Sequence, residues 1–293
     1  MIAVLPAFLV EIACYLAMGF EAMRQAFDRL GSKAARAAIL AASAIIPYII
    51  ASVRTSTFDR SHLLLLLAVA LPAAFWYAWI RRSIPADVLF LGIVGAVYLS
   101  KIFEQIYGQP ATHVSLGILG RLMWIRLSVM AVLSLRTIEE ARFGFVPSPK
   151  EWRIGVLYYF YFLPVGGAVA YLVRFARFHQ PAMVWWKLAL VVIGTFFAFL
   201  WVVALFEEFF FRAFLQRLLA KSLNNEVAGL IVASLLFGLA HLPFHAFPNS
   251  RFAIVAGVTG IFYGLAFLKA QSVRASMVTH ALVVTTWRVF LTS

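Results

Sequence analysis

Apolar residues fall along the chain in ten blocks, at about 2–20, 37–53, 62–80, 84–100, 116–135, 153–173, 182–206, 227–247, 252–268 and 273–291. Short stretches in which arginine, lysine, glycine and proline collect separate them. A hydrocarbon core of ~30 Å is crossed by about 20 residues of helix rising ~1.5 Å each. The pattern predicts an all-α, polytopic helical membrane protein with about ten transmembrane helices. An outer-membrane barrel would instead show alternating segments of ~10 residues. The block at 116–135 is the most interrupted, by Arg121 and Arg126. The block at 182–206 is expected to continue as helix past Arg212 to about Ser222.

Composition agrees with a membrane solvent. The chain is 63% hydrophobic and 13% charged, where a soluble domain is roughly 25% charged. The formal charge of +13 would point a soluble protein toward nucleic acid. Here it fits basic loops lying on anionic leaflets, so the expected surroundings are a lipid bilayer and no nucleic acid. The single cysteine, Cys14, excludes an internal disulfide framework and a cysteine zinc cluster. The N-terminal stretch lacks the basic n-region of a signal peptide and reads as a first span. The stretch from Arg136 to Arg153, with Glu139, Glu140 and two prolines, is the most loop-like long connection. It suggests two domains, N-terminal transmembrane helices of unknown role at 1–150 and a C-terminal core at 151–293. With ten spans, the loops on one side hold 14 Lys and Arg and those on the other hold 6. The richer side is expected to be cytoplasmic, with both termini outside.

One block contains the unusual chemistry. Glu207, Glu208 and Arg212 interrupt an apolar run that begins at Leu188. Each ionisable side chain within a membrane costs roughly 2.5–3.5 kcal/mol on insertion scales. Glu208 and Arg212 are four residues apart, share a helix face and can pair. Glu207 lies ~100° round the helix and is not committed to that pair. A salt bridge that orients helices, a proton relay and a catalytic site all fit these three residues. His241 lies in the next block, beyond the polar turn Leu223-Asn224-Asn225. Glu207 is 17 residues before Asn224 and His241 is 17 after it, so a helical hairpin puts them at one depth. A carboxylate level with an imidazole is a general-base arrangement or half of a metal site. His245 follows Pro243 and reads as a loop residue. His280 lies in the last block, but hairpin spacing about Gln271 does not bring it level with Glu207. Ala253, Gly257, Gly260 and Gly264 repeat at helical spacing and read as close helix packing.

Three motifs in order carry a resemblance. Glu207 to Arg212, EEFFFR, matches EExxxR; Phe237 to His241, FGLAH, matches FxxxH; His280 matches the histidine of HxxxN/D. The set resembles the CAAX prenyl protease and bacteriocin-processing (Abi) family of intramembrane endopeptidases, over roughly Trp152 to Ser293. The resemblance implies that Glu207 activates water with help from His241, and that Glu208 holds Arg212 and fixes the helix. It implies that His280 binds the oxyanion, or a metal in the metalloprotease description of the family. Glu207, His241 and His280 would then be three ligands of a divalent metal such as zinc; the alternative is a glutamate-activated water with no metal. The chain departs from the pattern at Val284, where the family usually has Asn or Asp, since valine offers no hydrogen-bonding group. Thr285, Thr286 or a water are the candidate substitutes. The resemblance implies a peptide or protein substrate, prenylated or membrane-anchored, and a place in the cytoplasmic membrane of a bacterium. Two further readings stand beside it: a non-catalytic immunity or scaffold protein that keeps the fold, and a proton-coupled transporter.

Overall fold

The computed structural model describes residues 3–108, 115–138, 142–244 and 247–292. Their regular structure is almost entirely helical. The helices are α1 (Leu5–Ala17), α2 (Glu21–Asp28), α3 (Lys33–Thr55), α4 (Arg60–Trp79), α5 (Ile84–Leu99), α6 (Ile102–Tyr107), α7 (Gly117–Arg136), α8 (Pro149–Leu172), α9 (Trp185–Leu223), α10 (Glu226–Ala240), α11 (Ser250–Ala270) and α12 (Val273–Phe290). A helix lies at each of the ten expected positions. Six of them, α3, α4, α7, α8, α9 and α11, are long and apolar enough to cross a membrane. A seventh is gained if α1 and α2, bent by 89° at their junction, count as one span. The apolar helices α5 and α10 are shorter, with 16 and 15 residues. The chain is an integral membrane protein built of helices.

Local chemistry sets the helix ends. Ser148 and Glu151 form a reciprocal capping box with Pro149 at the first turn of α8, satisfying amides that no helical carbonyl reaches. At the expected 223–225 turn, Asn224 takes the left-handed conformation (φ 48°) and the Asn225 side chain accepts from Ala228 N at 3.0 Å. Left-handed Gln271 ends α11 and the Ser272 side chain caps α12.

Two compact units divide the chain, Met1–Glu139 and Glu140–Ser293. In the first, Arg126 explains the interruption of its block. Its guanidinium grips Glu11 through two bonds of 2.9 and 3.0 Å and reaches Ser43 Oγ at 2.7 Å. Arg126 and Glu11 are both buried, so the charges meet inside the bundle instead of facing lipid. Asp87 is similarly held by Arg136, at 2.8 and 2.6 Å, and by the Tyr77 hydroxyl at 2.9 Å.

The second unit begins before residue 151 because the loop ahead of α8 is docked on it. Phe145 O accepts from Trp201 Nε1 at 3.1 Å and Val146 O accepts from Arg274 at 3.1 Å. Within this unit α8 and α12 touch at Gly155, whose carbonyl accepts from Thr279 Oγ1 at 2.9 Å. A Cβ there would lie 2.6 Å from Val278 Cβ and 2.7 Å from Ala275 O. The helices α10 and α11 cross at Gly238, where a Cβ would lie 2.5 Å from Ala253 O and 3.1 Å from Gly257. Two-residue strands β1 (Arg177–Phe178) and β2 (Leu291–Thr292) pair antiparallel. Glu139, Glu140 and His245 lie outside the described residues.

Candidate active site

The central element is α9, in which two stretches of wide, π-type turn, Phe199–Ala204 and Phe209–Gln216, flank the α-helical turn Leu205–Glu208. Such turns are rare and frequent at functional sites. Glu208 and Arg212 still face one another. Arg212 Nε donates to Glu208 Oε2 at 3.1 Å, with both side chains fully buried. Arg212 Nη1 also lies 3.4 Å from both Gln216 Oε1 and Ser234 Oγ, and the guanidinium sits 5.4 Å above the Phe237 ring.

The glycine stripe has two uses. Gly257 serves the α10–α11 crossing, as expected for close packing. Gly260 and Gly264 also face α10 and in addition make room for Arg212: a Cβ at Gly260 would lie 3.2 Å from both Nη2 and Ser234 Cβ, and one at Gly264 would lie 3.3 Å from Nη1 and 2.6 Å from Gln216 Oε1 while striking Leu230 Cδ1. Gly264→Ala should therefore lower stability by about 1–3 kcal/mol through overpacking. Gly194→Ala, where a Cβ meets nothing within 4 Å, should not. Thermal unfolding of the two purified variants in one detergent checks the difference.

His280, buried on α12, joins this pair. Its Nδ1 lies 2.7 Å from Glu208 Oε1, and an ionised carboxylate only accepts, so Nδ1 carries the proton. The Ser276 hydroxyl also binds Glu208 Oε2 and lies 3.0 Å from Tyr263 O. The Tyr263 ring stacks on the imidazole at 4.5 Å and 12°, and Phe237 meets it edge-on at 6.1 Å. This packing directs Nε2 toward Glu207, whose Oε2 is 3.9 Å away. That is too long for a direct hydrogen bond and a spacing at which a water can bridge. Glu207 is the open member of the group, with a side chain 33% exposed.

His241 is the residue after α10. Its Nδ1 lies 2.7 Å from Phe237 O, and a carbonyl only accepts, so Nδ1 donates. Phe211 meets Phe237 edge-on at 4.9 Å. This α9–α10 register, one turn nearer the Asn224 turn, is the one that pairs Glu207 with His241 in depth. Among the described residues, no hydrogen bond or ion pair joins Glu207 to His241; the imidazole nearest Glu207 is His280. The spacing about Gln271 missed this because it measures His280 against α11. There His280, nine residues after Gln271, is level with Tyr263, eight before it. The contact that matters is with α9, which turn spacing cannot reach. Ser276 and Gln216 were also missed, although each lies four residues from a recognised polar residue on its own helix.

A zinc site built from Glu207, His241 and His280 is not met. Among the described residues no three His, Cys, Asp or Glu side chains converge as a metal would require. At the departure from the motif, Thr286 Oγ1 donates to Leu282 O at 2.9 Å and meets the Tyr159 hydroxyl at 2.7 Å. Thr285 Oγ1 is buried with no partner.

A partly open carboxylate, a second carboxylate and an imidazole thus meet inside a helical bundle. Residues 187–286, 100 of the 293, match the family model described as Rce1-like, type II CAAX prenyl endopeptidase Rce1-like. Over that stretch the chain is similar to the CAAX-type intramembrane endopeptidases. Glu207, Glu208, Arg212, His241 and His280 all lie within the match; the first unit lies outside it. No curated protein and no solved structure matches the chain.

Proposed function

We propose that the second unit hydrolyses a peptide bond at the membrane with a water activated by Glu207. The observation that carries the reading is the chain Glu208–His280–Glu207, with 2.7 Å at Nδ1 and 3.9 Å at Nε2. Buried Glu208, tied to Arg212 and Ser276, fixes the tautomer and orientation of His280. Glu207 is left unpaired and accessible, as a general base must be. It takes a proton from the water as the oxygen bonds to the carbonyl carbon and the C=O electron pair moves onto oxygen. His280, when protonated, donates from Nε2 to that oxyanion. Collapse of the intermediate expels the amine, which takes the proton from Glu207. The α9–α10 register supports His241 as a second partner of the same water.

The substrate is an anchored peptide or protein, and a prenylated C-terminus is the form suggested by the family description. The membrane is the cytoplasmic membrane of a bacterium. The test is cleavage of a mixed library of plain and prenylated peptides by protein in lipid, read by mass spectrometry with and without a strong chelator. We expect products from the wild type in both arms. Loss of all products under chelation, restored by zinc, would replace the glutamate mechanism with a metal one.

A non-catalytic partner protein that retains the fold is the second reading, favoured by Val284. The hydroxyl of Thr286 is bonded within α12 and to Tyr159, so it is not free to stand in for the missing amide. Biological activity that survives Glu207→Gln would select this reading.

A further inference from the structure

The helix ends and the loop beside His241 carry an arrangement that the hydrolytic reading does not use. Phe175, Phe252 and Trp287 form an aromatic cluster, with ring centroids 5.3 Å apart for Phe175–Phe252, 5.3 Å for Phe175–Trp287 and 4.9 Å for Phe252–Trp287. Phe252 is also 4.8 Å from the His241 ring. Each of the three aromatics is followed or preceded in the chain by an arginine: Arg174, Arg251 and Arg288. All three arginines are exposed, and Arg251 Nη1 reaches the carbonyl of Arg174 at 3.5 Å. Three exposed arginines thus adjoin one aromatic cluster in the chain, and the Arg288 guanidinium lies 5.4 Å over the Trp287 ring and 5.8 Å over that of Phe199.

Among the described residues no ion pair joins any of the three to a carboxylate. The sequence holds no Asp or Glu at 171–187, 242–252 or 285–292. Elsewhere in the unit Arg274 is neutralised by Glu151 at 3.1 Å. Exposed cations on one end of the unit with no acidic residue beside them in the chain attract an anion. The surroundings identify that anion. Tyr171 and Trp185 are 80% and 81% exposed at the adjoining ends of α8 and α9. Large aromatics so placed at helix ends sit at the headgroup level of a bilayer. The guanidinium fork suits phosphate oxygens.

We propose that Arg174, Arg251 and Arg288 bind the phosphate of anionic phospholipid headgroups, holding the His241 end of the unit in a negatively charged leaflet surface. The site is independent of the chemistry at Glu207. It is tested with full-length protein in nanodiscs of phosphatidylcholine doped with phosphatidylglycerol, counting the lipids that stay bound by native mass spectrometry. The wild type should retain phosphatidylglycerol preferentially. The Arg174→Gln, Arg251→Gln, Arg288→Gln triple variant should lose that preference by about tenfold. The matching triple lysine variant, which keeps the charge, should retain most of it. Lys221→Gln, a cation outside this group, should behave as wild type. Equal retention by the wild type and the glutamine variant would overturn the proposal, as would equal loss by the glutamine and lysine variants. Displacement of the lipid by inorganic phosphate or by an acidic peptide would reassign the cluster to a soluble anion or to a protein partner, and overturn it too.

Discussion

Glu207→Gln should lower the rate of peptide cleavage by about 10²–10⁴-fold while leaving thermal stability near that of the wild type. The two effects separate because Glu207 has a different environment from its neighbour. Its side chain is one-third exposed, and His280 Nε2 lies 3.9 Å from its carboxylate. Glutamine keeps the volume and one carbonyl oxygen, but it cannot take a proton from water at neutral pH. A side chain with no buried ion pair leaves little behind when its charge is removed. The measurement is turnover of any peptide that the wild type cleaves in lipid, alongside unfolding of both proteins. Undiminished turnover would remove Glu207 from the chemistry. A large drop in unfolding temperature would make it a structural residue and explain lost turnover without catalysis.

His241→Ala and His280→Ala then divide the roles of the two imidazoles. His280 is held by Glu208, Tyr263 and Phe237 and is the imidazole nearest Glu207. Its loss should reduce turnover at least as far as the loss of His241, measured with the same peptide at saturating concentration. A larger effect at His241 would show that the bound substrate brings Glu207 and His241 together.

The sequence made the helices legible because lipid offers the backbone no hydrogen bonds, so apolar blocks of the right length become helical. It also made the α9–α10 hairpin legible, since equal spacing about Asn224 and the Phe211–Phe237 contact describe one register. Three features were not legible. The pairing of Arg126 with Glu11 joins residues far apart in the chain, and from the sequence Arg126 looked like a flaw in a span. The approach of His280 to Glu207 depends on which helix α12 lies against, and spacing about the Gln271 turn reports only on α11. The room that Gly260 and Gly264 leave for Arg212 depends on what stands opposite that face of α11. The number of spans is a matter of length: α5, α10 and α12 occupy the expected blocks, but among the described residues six helices, or seven spans with the bent α1–α2 pair, meet both length and apolarity.

Arg212→Leu should destabilise the protein by about 3–5 kcal/mol, the cost of leaving one partner of a buried ion pair without the other. Glu208 is fully buried, and Arg212 is the guanidinium paired with it; the Ser276 hydroxyl and His280 Nδ1 remain as hydrogen-bond donors. The double variant Glu208→Gln, Arg212→Leu removes both charges and should recover much of that loss, because a buried pair replaced whole is often nearly neutral. Activity should not recover with stability. A glutamine at position 208 no longer presents an acceptor-only carboxylate to Nδ1, so nothing fixes the tautomer that turns Nε2 toward Glu207. Unfolding and turnover of the wild type, the single and the double variant form the test. A double variant that is both stable and active would show that the ion pair only holds α9 in place. One that is stable and inactive would show that Glu208 acts through His280, with Arg212 present to keep that carboxylate charged.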